Sequence, residues 1–166
     1  MGRIISQEEL ITLLSRANRG SRRVVFTNGC FDLLHPGHIR TLEEARTLGD
    51  VLVVGLNDDA GVRNAKGDSR PACGQDERAE LLAALEAVDF VVLFGEPTPR
   101  ELIARLLPDV LVKGSDWDST EIVGRDEVEG ASGRVVSIPL EPGYSTTNIV
   151  KKIRKLPTNL SHPAIG

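Results

Sequence analysis

The sequence predicts an α/β fold: an open sheet of about five mainly parallel strands with helices on both faces. Short apolar runs rich in β-branched residues, such as Val51-Leu52-Val53-Val54, are typical of buried parallel strands. Segments with apolar residues at helical spacing separate these runs along the chain. The length of 166 residues suits a single domain, which we place at 1–156 with a loose C-terminal tail at 157–166.

The predicted strands are apolar runs bounded by turn residues. The first begins at Val24 and ends at the turn signal Asn28-Gly29, and the second ends at Asn57, before two aspartates. In chain order the runs cover residues 24–27, 50–57, 90–94, 109–113 and 134–140. Because strand and helix alternate, right-handed crossovers place the loops that follow the strands along one edge of the sheet.

The predicted helices begin at recognisable caps. Ser6 and Glu9 have the spacing of a capping box. Pro36 suits a first helical turn, since its missing N–H would be unpaired there, and Thr98 precedes Pro99 as an N-cap. In chain order the helices cover residues 1–20, 36–49, 75–87, 98–107, 121–130 and 145–156.

One polar segment, residues 64–74, is predicted to be a long mobile loop. It contains Lys66-Gly67-Asp68-Ser69-Arg70-Pro71. Two interpretations stay open at this point: a solvated connection between elements, or a basic flap over an anionic substrate.

Polar, glycine-containing segments follow three of the predicted strands. A turn with two histidines follows the first strand, Lys113 to Asp116 follow the fourth, and Ser145 to Thr147 follow the fifth. Ligands of open α/β sheets bind outside the carboxyl ends of the strands. The sequence therefore predicts a functional site where these three segments meet.

His35 and His38 lie three residues apart on the first turn of a predicted helix. That end of a helix attracts anions, because its backbone N–H groups are unpaired and its dipole is positive there. Gly29 and Gly37 would let a phosphate chain approach the backbone closely. A zinc site needs a third ligand, and neither cysteine nor His162 offers a recognisable spacing. We therefore expect a phosphate site and no metal ligands.

Composition and missing motifs exclude several function classes. The chain has neither G-x-G-x-x-G nor G-x-x-x-x-G-K-[ST], so redox dinucleotide binding and P-loop hydrolysis lose their usual support. A net charge of −4 argues against a broad nucleic-acid surface. We expect no membrane-spanning segment, and two distant cysteines favour a reducing cytoplasm over a disulfide framework.

The run T-N-G-C-F-D-L-L-H-P-G-H at 27–38 resembles the H-x-G-H signature of the nucleotidyltransferase superfamily, which contains cytidylyltransferases and adenylyltransferases. S-T-T-N-I at 145–149 resembles the second signature of that superfamily. The resemblance implies a Rossmann-like fold in which two helix ends hold a nucleoside triphosphate with Mg²⁺. It also implies attack by a sugar phosphate on the α-phosphorus with loss of pyrophosphate. Such an attack needs no covalent intermediate and relies on positioning and charge stabilisation.

The resemblance also implies a set of site residues. Those expected to act in catalysis are His35, His38, Lys66 and Thr147. Those expected to bind the nucleotide are Asn28, Gly29, Cys30, Phe31, Gly37, His38, Arg78, Lys113, Gly114, Asp116, Ser145, Thr146 and Thr147.

Four further runs resemble the heptose 1-phosphate adenylyltransferases of ADP-heptose synthesis: K-G-D-S-R-P at 66–71, L-E-A-V-D at 85–89, P-D-V-L-V-K-G at 108–114 and S-T-T-N-I-V-K-K-I at 145–153. The resemblance spans residues 22–154. It implies ATP and D-glycero-β-D-manno-heptose 1-phosphate as substrates and a role in making the lipopolysaccharide core. As a partner we also expect a second copy of the chain, in a homo-oligomer such as a dimer, although the sequence does not define the oligomeric state.

Two alternatives stay open. Trp117 after Asp116 is similar to glycerol-3-phosphate cytidylyltransferases instead. A non-catalytic nucleotide-binding module that has kept the fold is the third hypothesis.

Overall fold

The computed structural model describes residues 1–114 and 122–156 and confirms the α/β class, with a Rossmann-like open sheet. Six strands, all parallel, lie in the order β1-β4-β3-β2-β5-β6. The strands are β1 Arg3–Ile5, β2 Val24–Gly29, β3 Val51–Asn57, β4 Phe90–Phe94, β5 Val110–Gly114 and β6 Arg134–Ile138. The helices are α1 Gln7–Leu14, α2 Pro36–Arg46, α3 Asp59–Lys66, α4 Gln75–Ala83, α5 Arg100–Leu106, α6 Arg125–Gly130 and α7 Thr146–Arg154.

Two hydrophobic cores sandwich the sheet, because successive side chains of a strand point to opposite faces. Val24 and Phe26 of β2 pack on the side of α1, α5 and α6, where Leu10 and Ile103 are also fully buried. Val25 packs on the other side, with buried residues from α2 and α4. Helices therefore cover both faces, as the sequence predicts.

The sixth strand, β1, replaces the start of the helix predicted over residues 1–20. Arg3, Ile4 and Ile5 pair with β4, and the helix begins only after Ser6. The predicted capping box is confirmed: the Ser6 side chain accepts from the Glu9 N–H while the Glu9 carboxylate accepts from the Ser6 N–H. The helix then ends at Leu14, well before Gly20.

Helix α3 occupies part of the segment predicted as a loop. The Asp58 carboxylate accepts from the Gly61 N–H at 2.6 Å and caps this helix, whose Val62 is fully buried. Lys66 is therefore the last residue of a helix, and the connection to α4 begins at Gly67.

Several boundaries also differ from the prediction. β2 continues through Asn28 and Gly29, because these residues pair with β3. Helix α2 ends at Arg46, α4 ends at Ala83, and Pro99, not Thr98, is the N-cap of α5. Residue 121 and the predicted loose tail at 157–166 lie outside the described residues. No helix in the described ranges is both long and apolar enough to cross a membrane.

Candidate active site

A cleft of about 490 Å³ lies at the carboxyl edge of the central strands β2, β3 and β5. The structure brings nearly all of the predicted site residues into its wall. They are Asn28, Gly29, Cys30, Phe31, His35, Gly37, His38, Lys66, Lys113, Gly114, Ser145, Thr146 and Thr147. Asp116 lies outside the described residues.

His35 is the N-cap of α2, and this role defines which of its ring nitrogens carries a proton. The Nδ1 atom accepts a hydrogen bond from the His38 backbone N–H at 3.3 Å. A nitrogen that accepts cannot also hold a proton, so the neutral ring carries its proton on Nε2. The cap therefore leaves His35 with one N–H that can be donated to a ligand in the cleft.

The rings of His35 and His38 are stacked, with centroids 3.7 Å apart and planes 16° from parallel. Burial and, to a smaller extent, the neighbouring His35 together lower the pKa of His38 to about 4. Burial also lowers the pKa of His35. At neutral pH the pair is uncharged, so its chemistry toward an anion would be N–H donation beside the positive end of the helix.

Gly37 and Gly29 permit close approaches that a side chain would prevent. A Cβ atom on Gly37 would lie 3.1 Å from His35 Nδ1 and 3.2 Å from Tyr144 Cβ. A Cβ atom on Gly29 would lie 3.0 Å from the ring of Phe31. Phe31 itself has a φ of 44° in the left-handed region, which is a costly conformation for a non-glycine residue. The turn between β2 and α2 is therefore shaped by tight packing.

The start of α7 adds three hydroxyls to the wall of the cleft, next to the turn before α2. The Ser145 side chain accepts from the Asn148 N–H at 3.1 Å and caps the helix. The Thr146 hydroxyl donates to the Leu33 carbonyl at 3.4 Å, which ties α7 to the turn before α2. Thr147 is exposed, and its hydroxyl has no partner among the described residues. Thr147 is thus the hydroxyl of the three best placed to donate to a ligand.

Arg78 does not line the cleft, although the family resemblance implied a contact with the nucleotide. Its side chain is 0% exposed, and its guanidinium donates to the Cys30 carbonyl at 2.6 Å and to the Asn57 carbonyl at 2.9 Å. It also pairs with Asp59 at 2.7 Å and donates to the Cys73 carbonyl at 3.1 Å. Arg78 therefore holds the ends of β2 and β3 from behind the cleft wall.

Asp32 is a cleft residue that the sequence analysis missed. It is 4% exposed and accepts from the backbone N–H groups of Ala72 at 2.7 Å and Cys73 at 3.1 Å. Its other oxygen pairs with Arg70 at 2.6 Å. These contacts fasten the far end of the polar loop to the turn after β2. The signal available in the sequence was an aspartate between Phe31 and Leu33, because a carboxylate among apolar residues needs partners.

Tyr144 forms another part of the wall that the sequence did not indicate, and Arg40 supports it from outside the cleft. The Tyr144 ring lies 6.3 Å from the His35 ring, and the Arg40 guanidinium lies over it at 5.6 Å. Arg40 also pairs with Glu141 in the turn before α7. These contacts join the start of α2 to the turn that leads into α7.

Two titratable groups lie at the floor of the cleft. The Lys113 ammonium donates to the Asn28 side-chain oxygen, and burial lowers the pKa of Lys113 to about 8. Burial raises the pKa of the Cys30 thiol, whose sulfur lies 4.0 Å from the Asn57 side-chain oxygen. Cys30 is therefore a protonated thiol at neutral pH and is not suited to act as a nucleophile.

Known proteins match this chain over most of its length. The family model described as cytidylyltransferase-like matches residues 26–152. The bifunctional protein HldE of Pelobacter propionicus is 50% identical over 151 residues, which cover 91% of this chain and 31% of that protein. The chain thus spans about a third of the length of this curated relative.

Two solved structures share the fold. The lipopolysaccharide core biosynthesis protein of Thermoplasma volcanium is 28% identical, with a TM-score of 0.61 over 73% of this chain and 98% of that one. Pantothenate synthetase of Thermus thermophilus is 19% identical, with a TM-score of 0.63 over 89% of this chain and 67% of that one, and it supports the fold alone. The family match spans most of the sequence and includes both helix ends of the cleft. This chain belongs to the cytidylyltransferase-like family and is a nucleotidyltransferase.

Proposed function

We propose that this domain transfers AMP from ATP to D-glycero-β-D-manno-heptose 1-phosphate, giving ADP-heptose and pyrophosphate for the lipopolysaccharide core. The observation that carries the reaction class is the cleft itself, in which the stacked His35 and His38 at the start of α2 lie with the hydroxyls at the start of α7. The identity to HldE and the likeness to a lipopolysaccharide core biosynthesis protein support the choice of sugar.

The proposed reaction is a single displacement at phosphorus. An oxygen of the sugar phosphate attacks the α-phosphorus of ATP, and the bond from that phosphorus to the bridging oxygen of pyrophosphate breaks. The attacking oxygen is already anionic near neutral pH, so no proton has to be removed from it. The cleft fits a reaction without a general base or a covalent nucleophile. Its Cys30 thiol is protonated, His35 is held in the helix cap, and His38 is stacked on His35.

Catalysis in this proposal comes from hydrogen-bond donation to charge that develops on the phosphates. His35 offers its Nε2 proton, and the neutral His38 ring lies stacked beside it. Thr147 approaches from α7, and the exposed Lys66 adds a positive charge at the rim. Donors fixed in this way need no reorganisation as charge moves onto the leaving pyrophosphate.

Mg²⁺ fits this site as an ion carried by the triphosphate. The described residues contain no group of three or more His, Cys, Asp or Glu side chains that could hold a metal. Mg²⁺ often keeps several waters and binds mainly through substrate phosphates. When bound, it would neutralise phosphate charge, while the chain's own donors orient the triphosphate.

The test measures pyrophosphate release with ATP or CTP against heptose 1-phosphate or glycerol 3-phosphate. We expect the fastest release from ATP with heptose 1-phosphate. Faster release from CTP with glycerol 3-phosphate would overturn the assignment in favour of a glycerol-3-phosphate cytidylyltransferase. Nucleotide binding without release from any pair would instead indicate a non-catalytic module.

A further inference from the structure

A series of ring contacts runs along the cleft wall and ends at Arg40, outside the cleft. Phe31 packs on His38 with ring centroids 5.2 Å apart, and His38 stacks on His35 at 3.7 Å. The Tyr144 ring lies 6.3 Å from the His35 ring and 23° from parallel to it. The Arg40 guanidinium lies over the Tyr144 ring at 5.6 Å. We call these five residues the ring stack.

The ring stack joins the start of α2 to the start of α7. Arg40 belongs to α2, whereas Tyr144 lies in the turn before α7. Helix α7 has no buried side chain in the described structure, so burial of apolar surface contributes little to its position. Local contacts hold its start instead: the Arg40 guanidinium pairs with Glu141, and the Thr146 hydroxyl donates to the Leu33 carbonyl at 3.4 Å.

Tyr144 is packed closely against the first turn of α2. A Cβ atom added to Gly37 would lie 3.2 Å from Tyr144 Cβ, so the two segments meet at their backbones. The next residue, Ser145, caps α7, and Thr147 follows in its first turn. A shift of Tyr144 would therefore move the α7 hydroxyls relative to His35. A misplacement of about 1 Å in an active site can lower the rate on the order of a hundredfold.

We propose that Arg40 and Tyr144 are positioning residues for nucleotidyl transfer. Arg40 does not line the cleft and acts through Tyr144 and Glu141, which do. The three residues fix the distance between the His35 ring and the hydroxyls at the start of α7, so that both groups meet one triphosphate. Their role rests on the proposed function, which makes His35 and Thr147 the donors to the phosphates.

The contacts of Arg40 contribute little to folding stability. Its side chain is 53% exposed and that of Glu141 is 39% exposed. Ion pairs and cation–π contacts at such exposed positions are individually weak. Variants that remove them should therefore fold normally, with melting temperatures within about 4 °C of wild type. A loss of turnover in these variants would then report on the geometry of the site.

The test compares variants that remove a contact with variants that keep it. Arg40→Met removes the cation, whereas Arg40→Lys keeps one that can reach Glu141 and the ring. Tyr144→Leu removes the ring, whereas Tyr144→Phe keeps it. Pyrophosphate release is measured while ATP and heptose 1-phosphate are varied separately.

We expect kcat to fall about tenfold in Arg40→Met and in Tyr144→Leu, because the donors are present but misaligned. KM for each substrate should change less than kcat, as for an interaction made mainly in the transition state. Arg40→Lys and Tyr144→Phe should keep kcat within about threefold of wild type.

Arg3→Met is the matched control. The Arg3 guanidinium lies over the Phe90 ring at 5.8 Å, where β1 and β4 begin, at the sheet edge opposite the cleft. Its loss should leave kcat unchanged. Tyr144 is the only tyrosine of the chain, so 3-fluorotyrosine labels this position alone. Its fluorine resonance should shift when ATP binds, and it should also change in Arg40→Met but not in Arg3→Met.

Each other result decides one question. Unchanged kcat in both Arg40→Met and Tyr144→Leu would overturn the positioning role and leave the proposed function intact. Recovery of kcat when Glu141→Gln is added to Arg40→Met would also overturn it, because Arg40 would then act by neutralising a carboxylate of the cleft wall. A loss in Tyr144→Phe equal to that in Tyr144→Leu would assign the effect to the phenol hydroxyl and not to the ring. If the wild-type protein uses a different phosphorylated alcohol, the proposed function fails, and the same variants decide the positioning role through kcat with that acceptor.

Discussion

Replacing His35 with asparagine should separate its role as a helix cap from its role as a phosphate donor. Asparagine is among the best N-caps, so it can accept the His38 N–H in place of Nδ1. Its NH2 group can still donate, but with the side-chain oxygen in the place of Nδ1 it ends about one bond short of the Nε2 position and does not reach the same point in the cleft. We therefore expect His35→Asn to unfold with nearly the wild-type free energy but to lose turnover by about 10²–10³, the usual effect of removing one transition-state donor.

The alanine variant supplies the comparison. His35→Ala removes both functions, so it should lose about 1 kcal/mol of stability along with the same turnover. The turnover loss corresponds to about 3–4 kcal/mol of transition-state stabilisation, which is larger than the cap contributes to folding. Ser6→Ala removes the cap of α1, far from the cleft, and should lower stability by about 1 kcal/mol with no change in turnover.

Urea unfolding followed by circular dichroism measures stability, and pyrophosphate release at saturating substrates measures turnover. If His35→Asn keeps turnover within roughly threefold of wild type, His35 is a cap and not a donor. If it loses as much stability as His35→Ala, the cap assignment itself is wrong.

Three further predictions concern the same cleft. The pKa of His38 is about 4 in the folded protein, against an ordinary value of 6.5, so the unfolded chain binds more protons between these two pH values. The contribution of His38 to the free energy of unfolding should therefore be complete above pH 6.5 and decrease by about 3 kcal/mol as the pH falls to 4. Urea unfolding repeated across that range should show a smaller decrease in His38→Asn. Thr147→Ala should weaken ATP binding about tenfold by calorimetry, while Lys152→Ala, more than a turn further along α7, should have little effect. A larger loss of ATP affinity in Lys152→Ala than in Thr147→Ala would show that the phosphates bind elsewhere on α7. Lys66→Ala should lower turnover with an unchanged melting temperature. The loop that follows Lys66 should resist protease better with both substrates bound, and equal cleavage with and without them would argue against closure of this loop over the substrates.

The fold was predictable because its strands are long apolar runs that need two covered faces. β1 escaped prediction because three residues carry little pattern, and this strand exists through pairing with β4. Helix α3 escaped because Gly61 and Asn64 are poor helix formers; the Asp58 cap and the burial of Val62 outweigh that preference.

The candidate site was predictable where a residue type and its position in a turn imply the same chemistry. His35 and His38 satisfy this condition, since histidine at a helix start next to glycine indicates an anion site. Arg78 does not satisfy this condition, because the helical spacing of the sequence cannot show that its guanidinium is buried among backbone carbonyls. The partners of Asp32, which are Arg70, Ala72 and Cys73, lie between 38 and 41 residues along the chain, so only the tertiary structure reveals them.

The two helices that begin at the cleft, α2 and α7, differ in how many of their side chains are buried in the core. Leu42 and Ala45 anchor α2 in the core, whereas no side chain of α7 is buried in the described structure, and Ile153 is 56% exposed. Local opening needs little free energy where few apolar contacts are broken. Backbone amides of α7 should therefore exchange with deuterium faster than those of α2, and a triphosphate that spans both helices should slow that exchange. The acceptor would then meet a completed site only after ATP has bound, which predicts an ordered kinetic mechanism with the nucleotide first.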